Sequence, residues 1–192
     1  MGKQHVDMYK KILMRQMLLK GQSIENIYVP FIGDGDIASE LYSKYKIYGG
    51  DIDPARAEYA RKRLNANIKT ADCDKWIFSE IKDKFQAADF DSYCQPYLSF
   101  TSFWENAIKD DVMVLFFTDG HRQGIIRTGV HITVEDKHIK LNDINEQRKL
   151  FNMYYSNYIL PWFSGYIKPY KIIKKQFYIR QHMLYWGVVI KK

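Results

Sequence analysis

A chain of 192 residues, 46% hydrophobic and 16% aromatic, can bury a full core and is too apolar to be a disordered segment. It has no apolar run of the roughly 20 residues that a membrane-spanning helix needs, and its start, MGKQHVDMYKKILMRQMLLKG, has no apolar signal core, so a mature, cytoplasmic protein without a membrane partner is expected. The net charge of +7 divides unevenly: residues 1–120 carry 16 Lys and Arg against 18 Asp and Glu, and residues 121–192 carry 13 against 4, which points to a polyanion such as nucleic acid.

Residues 3–20 carry Val6, Tyr9, Leu13 and Met17 at helical spacing, which predicts an amphipathic helix with that face turned inward and Gly21 as its stop. IYVPFI, 27–32, reads as the first strand and DIASELYSKY, 36–45, as a helix capped by Asp36. KIYGGDID, 46–53, is a second strand, and PARAEYARKRLNAN, 54–67, a helix with Pro54 in its first turn. IKTAD, 68–72, gives a third strand, DKWIFSEIKDKF, 74–85, a third helix with Asp74 as its cap, and AADFDSY, 87–93, a fourth strand. SFTSFWENAIK, 99–109, is helical, and DVMVLFFTD, 111–119, is the most continuous apolar strand.

After residue 120 the pattern changes. Asp143 and Glu146 form a capping box for a helix to about 160, whose Phe151, Tyr154, Tyr155 and Tyr158 suit a core face. Two final strands, about 170–179 and 182–190, meet in a tight turn near Arg180 and Gln181 and must be antiparallel. Alternating strands and helices followed by this pair predict an α/β, Rossmann-like three-layer αβα fold, with a mostly parallel seven-stranded sheet and an antiparallel C-terminal strand pair. One domain spanning 1–192 is expected, with an N-terminal helix in 1–24 and a basic, aromatic insertion at 121–165.

Gly33-x-Gly35-x-x-Ala38 follows a strand and opens a helix, and Asp51 or Asp53 stands about 18–20 residues on, a spacing that in letters permits a dinucleotide. The charges argue otherwise. A pyrophosphate at this turn would face Asp34 and Asp36, whereas S-adenosylmethionine has no phosphate and brings an ammonium and a sulfonium, which carboxylates attract. Asp51 ends the second strand, placed to accept from ribose hydroxyls. Asp72 ends the third, placed to accept from an adenine amino group, with Cys73 as a small apolar wall.

In this order PFIGDGD, GGDIDP, TADCDKW, DFDSYCQPY and VLFFTDG resemble the class I, Rossmann-like S-adenosylmethionine-dependent methyltransferases over residues 25–120. That resemblance implies S-adenosylmethionine as cofactor, held by Phe31, Gly33, Asp34, Gly35, Asp51, Ile52, Asp72 and Cys73. The family's acid just before the first glycine is absent, because Val29 and Pro30 stand there, and Asp34 is placed to supply that charge.

DFDSYCQPY, 89–97, is similar to the motif after strand four of the tRNA guanine N2-dimethyltransferases: Asp89, Asp91, Tyr93 and Pro96 match, while Ser92, Cys94 and Gln95 depart. Thr118 and Asp119 resemble that family's Thr-Asp. VPFIGDGD and YCQPY are also similar to two motifs of the DNA adenine N6-methyltransferases, with Val29 and Gln95 as departures. Both resemblances imply methylation of an exocyclic amine, RNA ahead of DNA. The amine is a poor nucleophile and needs an acceptor for its proton. Asp89 or Asp91 is the candidate acceptor, with only one of the two expected to face the cleft, and Tyr93 is the candidate base-stacking residue. Pro96, Tyr97, Arg122 and Arg127 are the candidate substrate contacts. No metal is expected, His121 and His131 being isolated. Other readings of the same residues are a small-molecule methyltransferase, an NAD-dependent oxidoreductase and a non-catalytic nucleic-acid-binding domain.

Overall fold

The structure is a computed structural model that describes residues 6–75, 78–92, 95–180 and 183–192; the candidate Tyr93 lies outside them. In chain order the first half consists of α1 (Val6–Leu19), β1 (Asn26–Pro30), α2 (Asp36–Leu41), β2 (Lys46–Asp51), α3 (Pro54–Arg63), β3 (Asn67–Thr70), β4 (Phe85–Phe90), α4 (Tyr97–Asn106) and β5 (Lys109–Asp119). There follow α5 (His121–Thr128), the hairpin β6 (Val130–Ile132) and β7 (His138–Lys140), α6 (Ile144–Met153), a π-helical turn at Tyr154–Ile159, α7 (Leu160–Tyr166), β8 (Lys171–Arg180) and β9 (Met183–Lys191).

Seven strands join in the order β3-β2-β1-β4-β5-β9-β8. The first five run parallel, and β9 lies antiparallel between β5 and β8. The expected architecture is therefore the observed one. Side chains alternate across the sheet as the two-residue period of a strand requires. On β5, Met113, Leu115 and Phe117 join an aromatic layer under α4, the π-helical turn and α7. Val114 and Phe116 point the other way, into a layer with α1, α2 and α3. In the aromatic layer Phe117 stacks on Trp186 with ring centroids 4.1 Å apart. The chain order reverses between β1 and β4, which opens a crevice at the carboxyl ends of these strands, where ligands of open α/β sheets sit.

Four local expectations are corrected. On α1 the face carrying Tyr9, Leu13 and Met17 is the exposed one (72%, 41% and 44%), while Met14, Arg15, Leu18 and Leu19 are buried. The buried stripe is centred on a charged residue whose partner comes from β4, so apolar spacing pointed to the wrong side. Of the helix expected over 74–85 the described residues show a 3-10 turn at Cys73–Lys75 and irregular chain over 78–84. There Phe78 and Ile81 enter the core as separate anchors, and Asp83 is drawn to Lys46 and Tyr48 of β2. Asp72, not Asp74, closes that turn, its Oδ1 accepting from the Asp74 N–H at 3.1 Å. At α2 the capping position is taken by Gly35 at φ 75°, and the Asp36 carboxylate pairs with Arg63 instead.

The helix expected from Asp143 does start there, with the carboxylate accepting from the Asn145 N–H at 2.8 Å. It runs on through the π-helical turn to Tyr166. Tyr154 and Tyr155 are core residues, and Phe151 and Tyr158 pack against them half-buried. Residues 121–140 also form α5 and the β6–β7 hairpin, which the sequence did not announce.

Candidate active site

The site is built by the turn between β1 and α2. Phe31 (φ 58°), Gly33 (φ 54°) and Gly35 (φ 75°) all take left-handed backbone. For a bulky aromatic this conformation is strained by about 1–2 kcal/mol. A Cβ on Gly35 would meet Leu64 Cδ1 at 2.9 Å, so this glycine lets the turn press against the chain after α3. A Cβ on Gly33 would meet nothing within 4 Å. The turn is thus closed at Gly35 and open at Gly33. Asp51 at the end of β2 fastens it: Oδ2 accepts from the Gly33 N–H at 3.0 Å and Oδ1 from the Asp53 N–H at 2.9 Å. A carboxylate offers about four acceptor positions, so Asp51 keeps two for a ligand.

A cleft of about 650 Å³ opens in front of this turn. Phe31, Gly33 and Asp34 line it together with Asp89, Asp91 and Thr118. The Asp34 carboxylate is exposed and makes no hydrogen bond or ion pair among the described residues, although the Asp34 carbonyl accepts from Arg63 at 3.2 Å.

Asp89 and Asp91 both border the cleft, contrary to the expectation that only one would. Residues two apart on an extended chain share a face. Their surroundings separate them. Asp89 is fully buried, with Oδ2 accepting from Arg15 Nε at 2.7 Å and Tyr42 Oη at 2.6 Å, and Oδ1 from Arg15 Nη2 at 2.7 Å. Asp91 keeps 18% of its side chain exposed. Its Oδ1 accepts from Lys11 Nζ at 2.8 Å and from Thr118 Oγ1, and its Oδ2 from Lys11 Nζ at 3.1 Å. Burial opposes ionisation of Asp91, but Arg15, Lys11 and the Thr118 hydroxyl outweigh it and hold the carboxyl below its usual range. Oδ2 retains one acceptor position.

Thr118 stood in the sequence as part of the Thr-Asp resemblance, whereas Lys11, Arg15 and Tyr42 were not read from the sequence. One signal was available. Lys11 and Arg15 are one helical turn apart, about 6 Å of rise, and Asp89 and Asp91 are about 6.6 Å apart on a strand, so the two pairs can match.

The remaining candidates lie outside this cleft. Ile52 is 73% exposed just past β2. At the end of β3, Asp72 pairs with Lys75 at 3.1 Å, which lowers its carboxyl, while burial pushes the Cys73 thiol up to about 12. Pro96 precedes α4 and is buried. Tyr97 is fully buried and donates to Asp119, whose Oδ1 also accepts from the His121 N–H at 2.8 Å. Burial raises the Asp119 carboxyl to about 6 and lowers the His121 imidazole to about 4. Arg122 is buried, lying 3.6 Å over the Phe151 ring and donating to the Phe151 carbonyl at 2.9 Å. Arg127 is exposed, its guanidinium 2.8 Å from the Gln123 amide, which lines the cleft. Among the described residues no three His, Cys, Asp or Glu side chains converge as metal ligands, and no helix is long and apolar enough to cross a membrane.

No protein-family model and no curated protein sequence matches the chain. Solved structures do. The N-methyltransferase NodS from Bradyrhizobium japonicum WM9, in complex with S-adenosyl-L-homocysteine, superposes with a TM-score of 0.58 at 9% identity over 94% of this chain and 85% of that one. The plantazolicin methyltransferase BpumL with the same ligand gives 0.56 at 13% identity, covering 95% and 82%. Trm1 from Pyrococcus horikoshii with S-adenosyl-L-methionine gives 0.67 at 11% identity over 96% of this chain, which spans 54% of that protein. At such identities the likeness is one of fold. The chain has the mostly parallel, seven-stranded Rossmann-like fold of these methyltransferases, with its acid-lined cleft at the carboxyl ends of the strands.

Proposed function

We propose that the protein is an S-adenosylmethionine-dependent methyltransferase acting on an exocyclic amine of a nucleic-acid base, RNA ahead of DNA. One observation carries this reading: a single cleft brings the open glycine turn and the unpaired Asp34 together with Asp91, an ionised carboxylate that has one acceptor position left. The residues fit the cofactor. Gly33 leaves space where any side chain would intrude, Asp51 has two lone pairs for ribose hydroxyls, and Ile52 offers exposed apolar surface to a flat ring. Asp72 and Cys73, one strand over, are the candidates for the adenine edge. S-adenosylmethionine, when bound, supplies a methyl group on a cationic sulfur.

The chain's own residues then do the following. Asp34 attracts the cationic part of the cofactor. Asp91 Oδ2 accepts the substrate N–H and orients the nitrogen lone pair. Because its carboxyl is held low, Asp91 orients and stabilises charge, and the proton leaves to water rather than resting on it. Asp89, fully buried and held by Arg15 and Tyr42, keeps α1 and the end of β4 in place. Tyr93 remains the candidate for stacking on the base. Arg127 and the exposed Lys171 and Lys175 of the basic last third are candidates for phosphate contact.

Parallel incubation of the protein with labelled S-adenosylmethionine and total tRNA, DNA or protein tests the reading. Label in tRNA supports it, whereas label in none of the polymers overturns the nucleic-acid part. A second reading, methylation of a small amine, is favoured by the likeness to NodS and to the plantazolicin methyltransferase. Salt separates the two, since nucleic-acid binding weakens steeply as salt rises.

A further inference from the structure

Four carboxylates border the cleft, from Asp34, Asp36, Asp89 and Asp91. A ligand that carries a carboxylate of its own enters such a cleft only where a cation receives it. Among the described residues that line the cleft, only Lys11 and Arg56 are cationic. Arg56 is 60% exposed and lies 3.9 Å from Asp53. Lys11 is held inside, its side chain 19% exposed and its ammonium 5.1 Å above the Tyr185 ring. An ammonium has three N–H donors. Asp91 Oδ1 and Oδ2 take two of them, which leaves one. Met8 and Met183, flexible and apolar, also line this wall.

We infer that Lys11 is the carboxylate receptor of the cleft: its third N–H takes the α-carboxylate of the cofactor's amino-acid head, while its other two stay on Asp91. The inference rests on the cofactor reading above and assigns a recognition residue to it. With S-adenosylmethionine the charges balance: Asp34, Asp89, Asp91 and the incoming carboxylate face Lys11, Arg15 and the incoming ammonium and sulfonium, while Asp36 is paired with Arg63. Lys11 thereby connects the cofactor's head to the carboxylate proposed to hold the substrate amine. A cofactor lacking the carboxylate leaves that third N–H unused.

Calorimetric titration of the whole protein with three nucleosides tests this. S-adenosylhomocysteine carries carboxylate and ammonium, S-adenosyl-3-thiopropylamine only the ammonium, and 5′-methylthioadenosine neither. The unchanged protein is expected to bind S-adenosylhomocysteine at least about tenfold more tightly than the thiopropylamine, the worth of one charged hydrogen bond. Lys11→Met is expected to abolish that ratio while leaving affinity for the thiopropylamine within about threefold, and Lys11→Arg to restore much of it. A residue that merely pins α1 would lower all three affinities together, and that result overturns the inference, as does an unchanged ratio in a Lys11→Met protein whose melting temperature is normal. If the unchanged protein binds all three equally, the inference alone falls. If it binds none, the cofactor reading falls first and Lys11 with it.

Discussion

Arg15 and Asp89 form a two-pronged ion pair closed to solvent, Nε to Oδ2 and Nη2 to Oδ1, each at 2.7 Å. It joins the first helix to the fourth strand, and Tyr42 completes the hydrogen bonding at 2.6 Å. Burial disfavours a charged Arg15, yet Asp89 more than compensates and keeps the guanidinium protonated. Removing one partner leaves the other charged and alone in the core. Arg15→Met and Asp89→Leu are each expected to cost about 3–5 kcal/mol in urea unfolding, and the apolar double variant Arg15→Met/Asp89→Leu clearly less than the sum. Additive losses would show that the pair does not act as a unit.

Asp91→Asn keeps the shape of the site and removes its charge. Methyl transfer is expected to fall about 100-fold or more, while affinity for S-adenosylhomocysteine stays within about threefold. Single-turnover assay and calorimetry on the same preparation check this, and full transfer in the variant removes Asp91 from the chemistry.

Gly33 and Gly35 are expected to respond differently to alanine. At Gly35 the new methyl meets Leu64 at 2.9 Å in left-handed backbone, so unfolding should show a loss of about 2–4 kcal/mol. At Gly33 there is strain but open space, so the loss in stability should be about 1–2 kcal/mol and nucleoside affinity should fall about tenfold. Equal effects on binding would place the ligand elsewhere.

Asp119 and His121 are expected to pull stability in opposite directions with pH. The folded Asp119 carboxyl, raised to about 6, holds a proton that the unfolded chain has lost above about pH 4, so its contribution falls as pH rises through that window. The folded His121 imidazole, lowered to about 4, stays neutral where the unfolded one charges below about pH 6.5, so its contribution falls as pH drops. Each slope reaches at most about 1.4 kcal/mol per pH unit, and they offset each other in the unchanged chain. Asp119→Asn should lose stability more steeply on acidification and His121→Gln less steeply. Unfolding from pH 4.5 to 7.5 reads this directly, and parallel curves for all three chains would contradict it.

Lys171 and Lys175 are exposed on β8, at the free edge of the sheet. If nucleic acid is the substrate, changing each to Gln should weaken binding and reduce the slope of log affinity against log salt by about 1 per lysine. A slope that does not change moves the contact elsewhere on the basic third.

The sheet was legible because its strands are apolar runs bounded by glycine and aspartate, as in DVMVLFFTD and KIYGGDID. The same bounding residues marked the turn at Gly33 and the strand end at Asp51. What was not legible depends on distant partners. The inward face of α1 is set by an arginine whose carboxylate is 74 residues away, and no local periodicity carries that information. The segment after Cys73 has helical composition, but Phe78 and Ile81 are drawn into the aromatic core while Asp83 is held by Lys46 and Tyr48 of β2. The β6–β7 hairpin has strands of only three residues, too short for any alternation to show.

The wide turn at Tyr154–Ile159 sets a phase between the helices on either side of it. It buries Tyr154, Tyr155 and Ile159, α7 beyond it buries Phe163, and α6 before it has no buried residue. One residue more or fewer rotates a helix by about 100°. Excising a single residue there would swing Leu150 and Phe151 off the aromatic layer and separate Phe151 from Arg122, with the sheet untouched. A one-residue change in length there therefore re-aims α6 against the aromatic layer and leaves the glycine turn and the strand ends that line the cleft as they are.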